Sequence, residues 1–248
     1  MQSGIDGPSI ERLRKSLRLT TPILAVYDTE PDDGFAPCIE VKGHACCFAY
    51  YDRWIAGETA VIRKGSFGCP GAQRALGLQK SYPDTMAHFL TDGVGAPPGE
   101  GLRASAEIAQ AFLDRAVPPA VRGETVLLGP LRPEKWDAVR TVTFLVDPDR
   151  LGALMTLAGY WSPDTRLVSA PFSSGCGHLW REVFYDGEDH PVIGATDIAM
   201  RKYLPPEILT FTVSPARFRQ MLGAPDDCFL YKDWWGGLMD HRKSAAGK

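Results

Sequence analysis

The sequence predicts an α/β fold, with α+β as the alternative, built as a mixed sheet flanked by helices and carrying a duplicated strand-Asp/Ser-Pro-helix unit. Three observations predict it. A chain of 248 residues with 44% apolar content is long enough to bury one sizeable core. The compact apolar run Pro22-Ile23-Leu24-Ala25-Val26-Tyr27 reads as a buried strand. Most telling is an internal echo, in which Val142-Thr143-Phe144-Leu145-Val146-Asp147-Pro148-Asp149-Arg150-Leu151 matches Leu209-Thr210-Phe211-Thr212-Val213-Ser214-Pro215-Ala216-Arg217-Phe218.

The elements follow in order. Ile10, Leu13 and Leu17 recur at helical spacing, so residues 10–19 form a short amphipathic helix. The strand at 22–27 ends in the acidic turn 28–34. Residues 45–55 read as helix and 58–63 as strand. Glycines and a proline then force a turn at Lys64-Gly65-Ser66-Phe67-Gly68-Cys69-Pro70-Gly71 before a helix at 72–76. Helices at 85–90 and 105–117 are separated by the glycine-rich loop 93–101. Two prolines interrupt that loop and no apolar strand leads into it, so it fails as a dinucleotide fingerprint.

In the echoed units Asp147 and Ser214 are N-caps, because a side-chain oxygen can accept from free amides of the first turn. Pro148 and Pro215 suit the first helical position, where no N–H is needed. Residues 166–170 and 190–195 add strands, and 178–184 reads as helix. Trp234-Trp235-Gly236-Gly237 is an aromatic anchor following the last predicted helix, packing on the body or on a second copy in a homodimer, and the tail 242–248 is expected to be disordered. The organisation expected is an N-terminal helical segment at 1–19, one α/β domain at 20–225, and an aromatic segment and tail at 226–248.

The formal charge of −3 arises from 27 basic and 30 acidic residues mixed along the chain, which gives no basic face for phosphates and argues against nucleic acid as a partner. Residues 1–19 lack an uninterrupted apolar stretch, so neither export nor a membrane span is supported and a cytoplasmic location is expected. Six irregularly spaced cysteines in such a chain are read as reduced thiols. There is no serine nucleophile elbow, Walker loop or HExxH pair.

Chemistry is expected at the cysteines. Cys46 and Cys47 sit at the start of a helix, where free amides and the helix dipole favour a thiolate. Gly68, Pro70 and Gly71 clear side chains from around Cys69 and leave amides to bond its sulfur, the setting of a cluster-ligating thiolate. Cys176 repeats that setting in Ser173-Ser174-Gly175-Cys176-Gly177. Three such thiols can hold a [4Fe–4S] cluster. Zinc is the alternative, because His178 lies two residues from Cys176 and His44 precedes Cys46. Against both, the gaps of 22 residues from Cys47 to Cys69 and 107 from Cys69 to Cys176 match no local metal motif. Each thiol also has a plainer reading, as a small buried side chain or an ordinary turn residue. Cys38 and Cys228 lie in loop-like sequence and are read as incidental, Cys228 being a weak reserve ligand. Asp197 and Arg201, four apart, read as an ion pair on one helix face.

These residues together resemble a family, the prokaryotic domain of unknown function numbered 169. The resemblance rests on Pro22 to Val26, Cys46-Cys47-Phe48-Ala49, Cys69-Pro70-Gly71-Ala72 with Ala75-Leu76-Gly77-Leu78, Val126 to Leu131, the strand-Asp-Pro-helix at 142–155, the turn Gly175-Cys176, and the segment from Arg201 to Glu207, and it covers residues 18–222. Two departures stand out: Ala72 where the family usually has a second glycine, and paired Cys46 and Cys47 where it has one cysteine. The resemblance implies that these positions matter, and that Arg201 recurs after a glycine-containing turn, where it would clamp a substrate carboxylate or phosphate.

The reading that results is a cytoplasmic thiolate-metal protein of redox type, with an iron–sulfur cluster on Cys47, Cys69 and Cys176, Cys46 beside them, and a small molecule or electron-transfer protein as partner. A non-enzymatic module that holds a metal, metalloid or small molecule with the same cysteines is the alternative, as is a thiol enzyme without metal.

Overall fold

The structure is a computed structural model, and it describes residues 5–43, 46–66, 68–94 and 98–246. Asp6 caps α1 (Gly7–Leu17) by accepting from the Ser9 amide at 2.7 Å, and the helix buries Ile10, Leu13 and Leu17 as its spacing requires. β1 (Leu24–Tyr27) is buried at all four positions. β2 (Cys38–Glu40) is a short exposed edge. A 3₁₀ turn at Cys47–Tyr50 leads into α2 (Tyr51–Ile55), so the helix expected at 45–55 begins in a tighter form, with Ala45 outside the described residues. β3 (Thr59–Arg63), α3 (Pro70–Ala75), α4 (Met86–Phe89) and α5 (Ala106–Arg115) then follow close to the expected positions. Residues 95–97 of the glycine-rich loop lie outside the described residues.

The remaining elements are β4 (Thr125–Pro130), β5 (Val139–Val146), α6 (Pro148–Ala158), α7 (Gly175–Leu179), β6 (Val192–Gly194), β7 (Leu209–Val213), α8 (Pro215–Leu222) and α9 (Asp233–Ala246). The strands form one mixed seven-stranded sheet in the order β2-β3-β4-β1-β5-β7-β6. Only the β2–β3 pair is parallel; the other neighbours are antiparallel. Of the two extra strands expected, 190–195 becomes β6, whereas 166–170 contributes a single bridge, Ser169 to Val192. The fold is therefore α/β in content.

Period-two alternation sorts the strand side chains onto two cores. Ala25, Tyr27, Leu127, Val142, Phe144, Phe211 and Val213 face a first core that also takes side chains of α1, α6, α8 and α9. Leu24, Val26, Ala60, Ile62, Val126, Leu128 and Leu145 face a second, covered by Phe48, Trp54, Ala72, Ala75 and residues of α7. At the end of β1 the buried Asp28 carboxylate accepts from the Arg122 amide at 3.0 Å and from Arg140 Nη2 at 3.1 Å. That satisfies a charge whose burial alone would be costly.

The echoed units are neighbours. β5 and β7 pair antiparallel with Phe144 opposite Phe211, so the echo is arranged about a local two-fold axis between those residues. Both caps form, Asp147 accepting from the Arg150 amide at 2.9 Å and Ser214 from the Arg217 amide at 3.1 Å. The shared arginines play matching parts. Arg150 donates to the Leu17 and Arg18 carbonyls at the end of α1, and Arg217 donates to the Ala158 carbonyl at the end of α6. Each fills carbonyls that a helix end leaves open.

The carboxyl end differs from expectation. Trp234 and Trp235 lie inside α9, which runs through Ala246, so the segment expected to be disordered is helical up to that point. The reason is tertiary: Trp235 and Met239 are buried in the first core, Trp235 Nε1 donates to the Ser16 carbonyl at 2.7 Å, and Arg242 pairs with Asp149 at 2.6 Å. Among the described residues, no helix is long and apolar enough to cross a membrane.

Phe218 is fully buried, with the rings of Trp136 and Phe144 at 5.9 and 6.0 Å. Phe218→Ala is expected to cost about 3–5 kcal/mol through lost burial and the cavity left behind, read as a lower urea midpoint at unchanged m-value. A loss under about 1 kcal/mol would show that this core does not hold α8 to the sheet.

Candidate functional site

The second core is where four of the six cysteines meet. Cys46 and Cys47 enter with the 3₁₀ turn that starts α2, Cys69 is the N-cap of α3, and Cys176 lies in α7. α3 packs on α7, and the turn at Cys47–Tyr50 packs on a 3₁₀ segment at Ile198–Tyr203. Segments far apart in the chain thus deliver their thiols to one region. Cys47 is fully buried, Cys176 is 3% exposed, and Cys46 and Cys69 pack against the same core partly buried.

Contacts within the group are direct. Cys47 Sγ lies 2.6 Å from Cys176 Sγ, and Cys47 also hydrogen-bonds with Cys46. Burial, followed by these two thiol contacts, pushes the Cys47 pKa well above its ordinary value. At Cys176 the contact with Cys47 pulls the other way, but burial and the charges of Cys46 and Asp197 outweigh it and the pKa rises. Cys69 is pushed up to about 12 by burial and then by the Cys176 charge, although the Ala72 and Gly71 amides donate to its sulfur. Cys46 alone is lowered, by its hydrogen bond with Cys47 and, against the cost of burial, by the Phe48 amide.

Small residues make this packing feasible. A Cβ on Gly175 would stand 2.8 Å from the Phe48 ring and 3.1 Å from Met200, so any side chain there would push α7 away from Phe48 and Met200. A Cβ on Gly194 would meet His178 Cβ at 2.4 Å, which is why β6 can press against α7.

Asp197 was expected to pair with Arg201, and among the described residues it does not. Its carboxylate accepts from the Gly175 amide at 3.2 Å and the Ala199 amide at 3.0 Å, tying the start of α7 to the segment after β6. Arg201 Nη1 donates to the Ala195 and Ile208 carbonyls, and Nη2 to those of Pro205 and Pro206. Arg201, expected as a substrate clamp, is thus a clasp on four backbone carbonyls that engages both terminal nitrogens. Arg181 was not singled out from sequence, yet its charge acts on Cys176 and its guanidinium binds Ser173, Glu182 and Tyr82. It also lines a cavity of about 410 Å³ with Phe112, Phe172 and Tyr185.

The zinc alternative draws on His178 and His44. His178 Nε2 bonds the Pro171 carbonyl at 2.9 Å, Nδ1 is buried without a partner among the described residues, and burial lowers the imidazole pKa. His44 lies outside the described residues. Among the described residues, no group of three or more His, Cys, Asp and Glu side chains stands ready to hold a metal ion. Cys38 is exposed at the β2 edge, and Cys228 is fully buried in the first core, on the other face of the sheet from the four thiols, so it is no reserve ligand for them.

A family model described as Uncharacterised ArCR, the DUF169 family, matches residues 12–224. No curated protein and no solved structure matches the chain.

The thiols are expected to separate by reactivity. At pH 8 a pKa near 12 leaves Cys69 about a thousandfold less thiolate than an ordinary thiol, whereas Cys46 has more than an ordinary one. Iodoacetamide should therefore modify Cys46 first among the four, with Cys69 slow at pH 8 and its rate rising about tenfold per pH unit up to about pH 12. Peptide mass spectrometry with time reads this, and equal rates at Cys46 and Cys69 would contradict the burial assigned to Cys69.

Proposed function

Because the chain belongs to the uncharacterised DUF169 family, its chemistry has to be read from its own residues, and we propose that it is a redox protein whose four-thiol pocket takes an iron–sulfur cluster of [4Fe–4S] type. Cys47, Cys69 and Cys176 are the ligands in this reading. The observation that carries it is the convergence of Cys46, Cys47, Cys69 and Cys176 from three segments at the second core, Cys47 and Cys176 buried and Cys46 and Cys69 partly so.

Electrostatics narrows what such a pocket is for. Free thiolates at Cys47, Cys69 and Cys176 are each disfavoured: burial raises all three, and the Cys176 charge adds to the rise at Cys47 and Cys69. Arg181 offers little compensation, since its guanidinium is already paired with Glu182. That weighs against a set of bare nucleophiles. An iron cluster supplies the positive charge that deprotonated sulfurs lack here, and the Gly71 and Ala72 amides on Cys69 are hydrogen bonds of the kind that tune cluster sulfurs. One adjustment is required: sulfurs ligating one cubane stand about 6–7 Å apart, so Cys47 and Cys176 must part from their present 2.6 Å.

Anaerobic reconstitution with ferrous iron and sulfide tests the proposal. About four irons and four sulfides per chain are expected, with a charge-transfer spectrum that is lost in Cys69→Ser and kept in Cys38→Ser. No bound iron and sulfide, or a Cys69→Ser spectrum equal to the parent's, would overturn it. Far-ultraviolet circular dichroism of Cys69→Ser separates loss of ligand from loss of fold.

A further inference from the structure

Cys47 and Cys176 share more than a pocket. Their sulfurs lie 2.6 Å apart although 129 positions separate them in sequence. Both belong to segments held from several sides. Gly175 leaves no room between α7 and Phe48, Asp197 fixes the Gly175 amide, and the Thr141 hydroxyl donates to the Leu179 carbonyl at the end of α7. The contact is thus set by surrounding packing, and a covalent bond between these sulfurs needs only a further short approach.

We propose that Cys47 and Cys176 form a reversible disulfide, giving the protein a thiol–disulfide couple whose electron acceptor is a low-molecular-weight disulfide admitted at Cys46. This stands on the thiol contact whether or not the cluster reading holds. The two chemistries use the same sulfurs, so each excludes the other.

The electrons balance without a metal. Cys46, partly exposed and hydrogen-bonded to Cys47, attacks one sulfur of the incoming disulfide, whose S–S bond breaks and releases one half as a thiol. Cys47 takes over the remaining half by exchange, and a proton returns to Cys46. Cys176 then attacks Cys47 Sγ, forming the Cys47–Cys176 bond and releasing the second half as a thiol. Two protein thiols give up two electrons and two protons, and the acceptor disulfide becomes two thiols. Cys69 takes no part.

The test uses the full-length wild-type chain, reduced and freed of metal with a chelator, so that failure of cluster binding leaves the result untouched. Oxidised glutathione is the probe, and remaining thiols are blocked with N-ethylmaleimide before digestion and mass spectrometry. The expected result is a peptide containing Cys47 linked to one containing Cys176, with alkylation lost at both, retained at Cys69, and restored at both by dithiothreitol. Cys46→Ser should slow the link at least tenfold. Absence of the linked peptide when exposed Cys38 is fully glutathionylated, a link through Cys69, or an unchanged rate in Cys46→Ser would overturn the proposal.

Discussion

The structure depends on a sheet that has no solvent face at its centre. β1 lies between β4 and β5, and its side chains divide between two cores, Ala25 and Tyr27 to one and Leu24 and Val26 to the other. A register slip of one residue would exchange the two sets. The first core, filled by large apolar side chains from α1, α6, α8 and α9, can be devoted to packing. The second can then carry thiols, because the strands behind it are anchored from the opposite side. The buried threonines of β5 and β7 fit this division: Thr143 and Thr212 bond each other at 3.0 Å on the face that bears the cysteines.

Desolvation shapes the site as much as proximity does. Four thiols in a polar groove would be ordinary reactive cysteines. In this pocket only Cys46 gains thiolate character, while Cys47, Cys69 and Cys176 are driven toward the neutral form. Neutral buried thiols are inert until something removes their protons, and the two events that do so at neutral pH are metal ligation and oxidation to a disulfide. Both chemistries proposed for these thiols start from that one condition.

Much of this was legible in the sequence. The echo announced β5-α6 and β7-α8 with their caps because the signals are local: an oxygen at the cap, proline after it, and an apolar run before. Cys69 was legible for the same reason, since the glycines beside it state what the sulfur's surroundings must be. Arg201 was not. Its four carbonyl acceptors come from the segment end at Ala195 and from residues 205–208, which a spacing argument with Asp197 cannot foresee. The tail was misread because helix α9 is held by Ser16, Arg18 and Asp149, all distant in sequence. The Cys47–Cys176 contact is of the same kind, closed across 129 positions with no shared motif.

Asp197 shows how these levels join. By sequence it reads as an ion-pair partner of Arg201; by structure it caps the 3₁₀ segment at Ile198–Tyr203, binds the amide next to Cys176 and places its negative charge where both Cys46 and Cys176 feel it. A carboxylate there opposes the gathering of further negative charge on sulfur, so it favours thiol or disulfide over free thiolate and makes a bound cation the compensating partner for any thiolate that does form. The residue that fixes the position of α7 therefore also disfavours the thiolate of the cysteine that α7 carries.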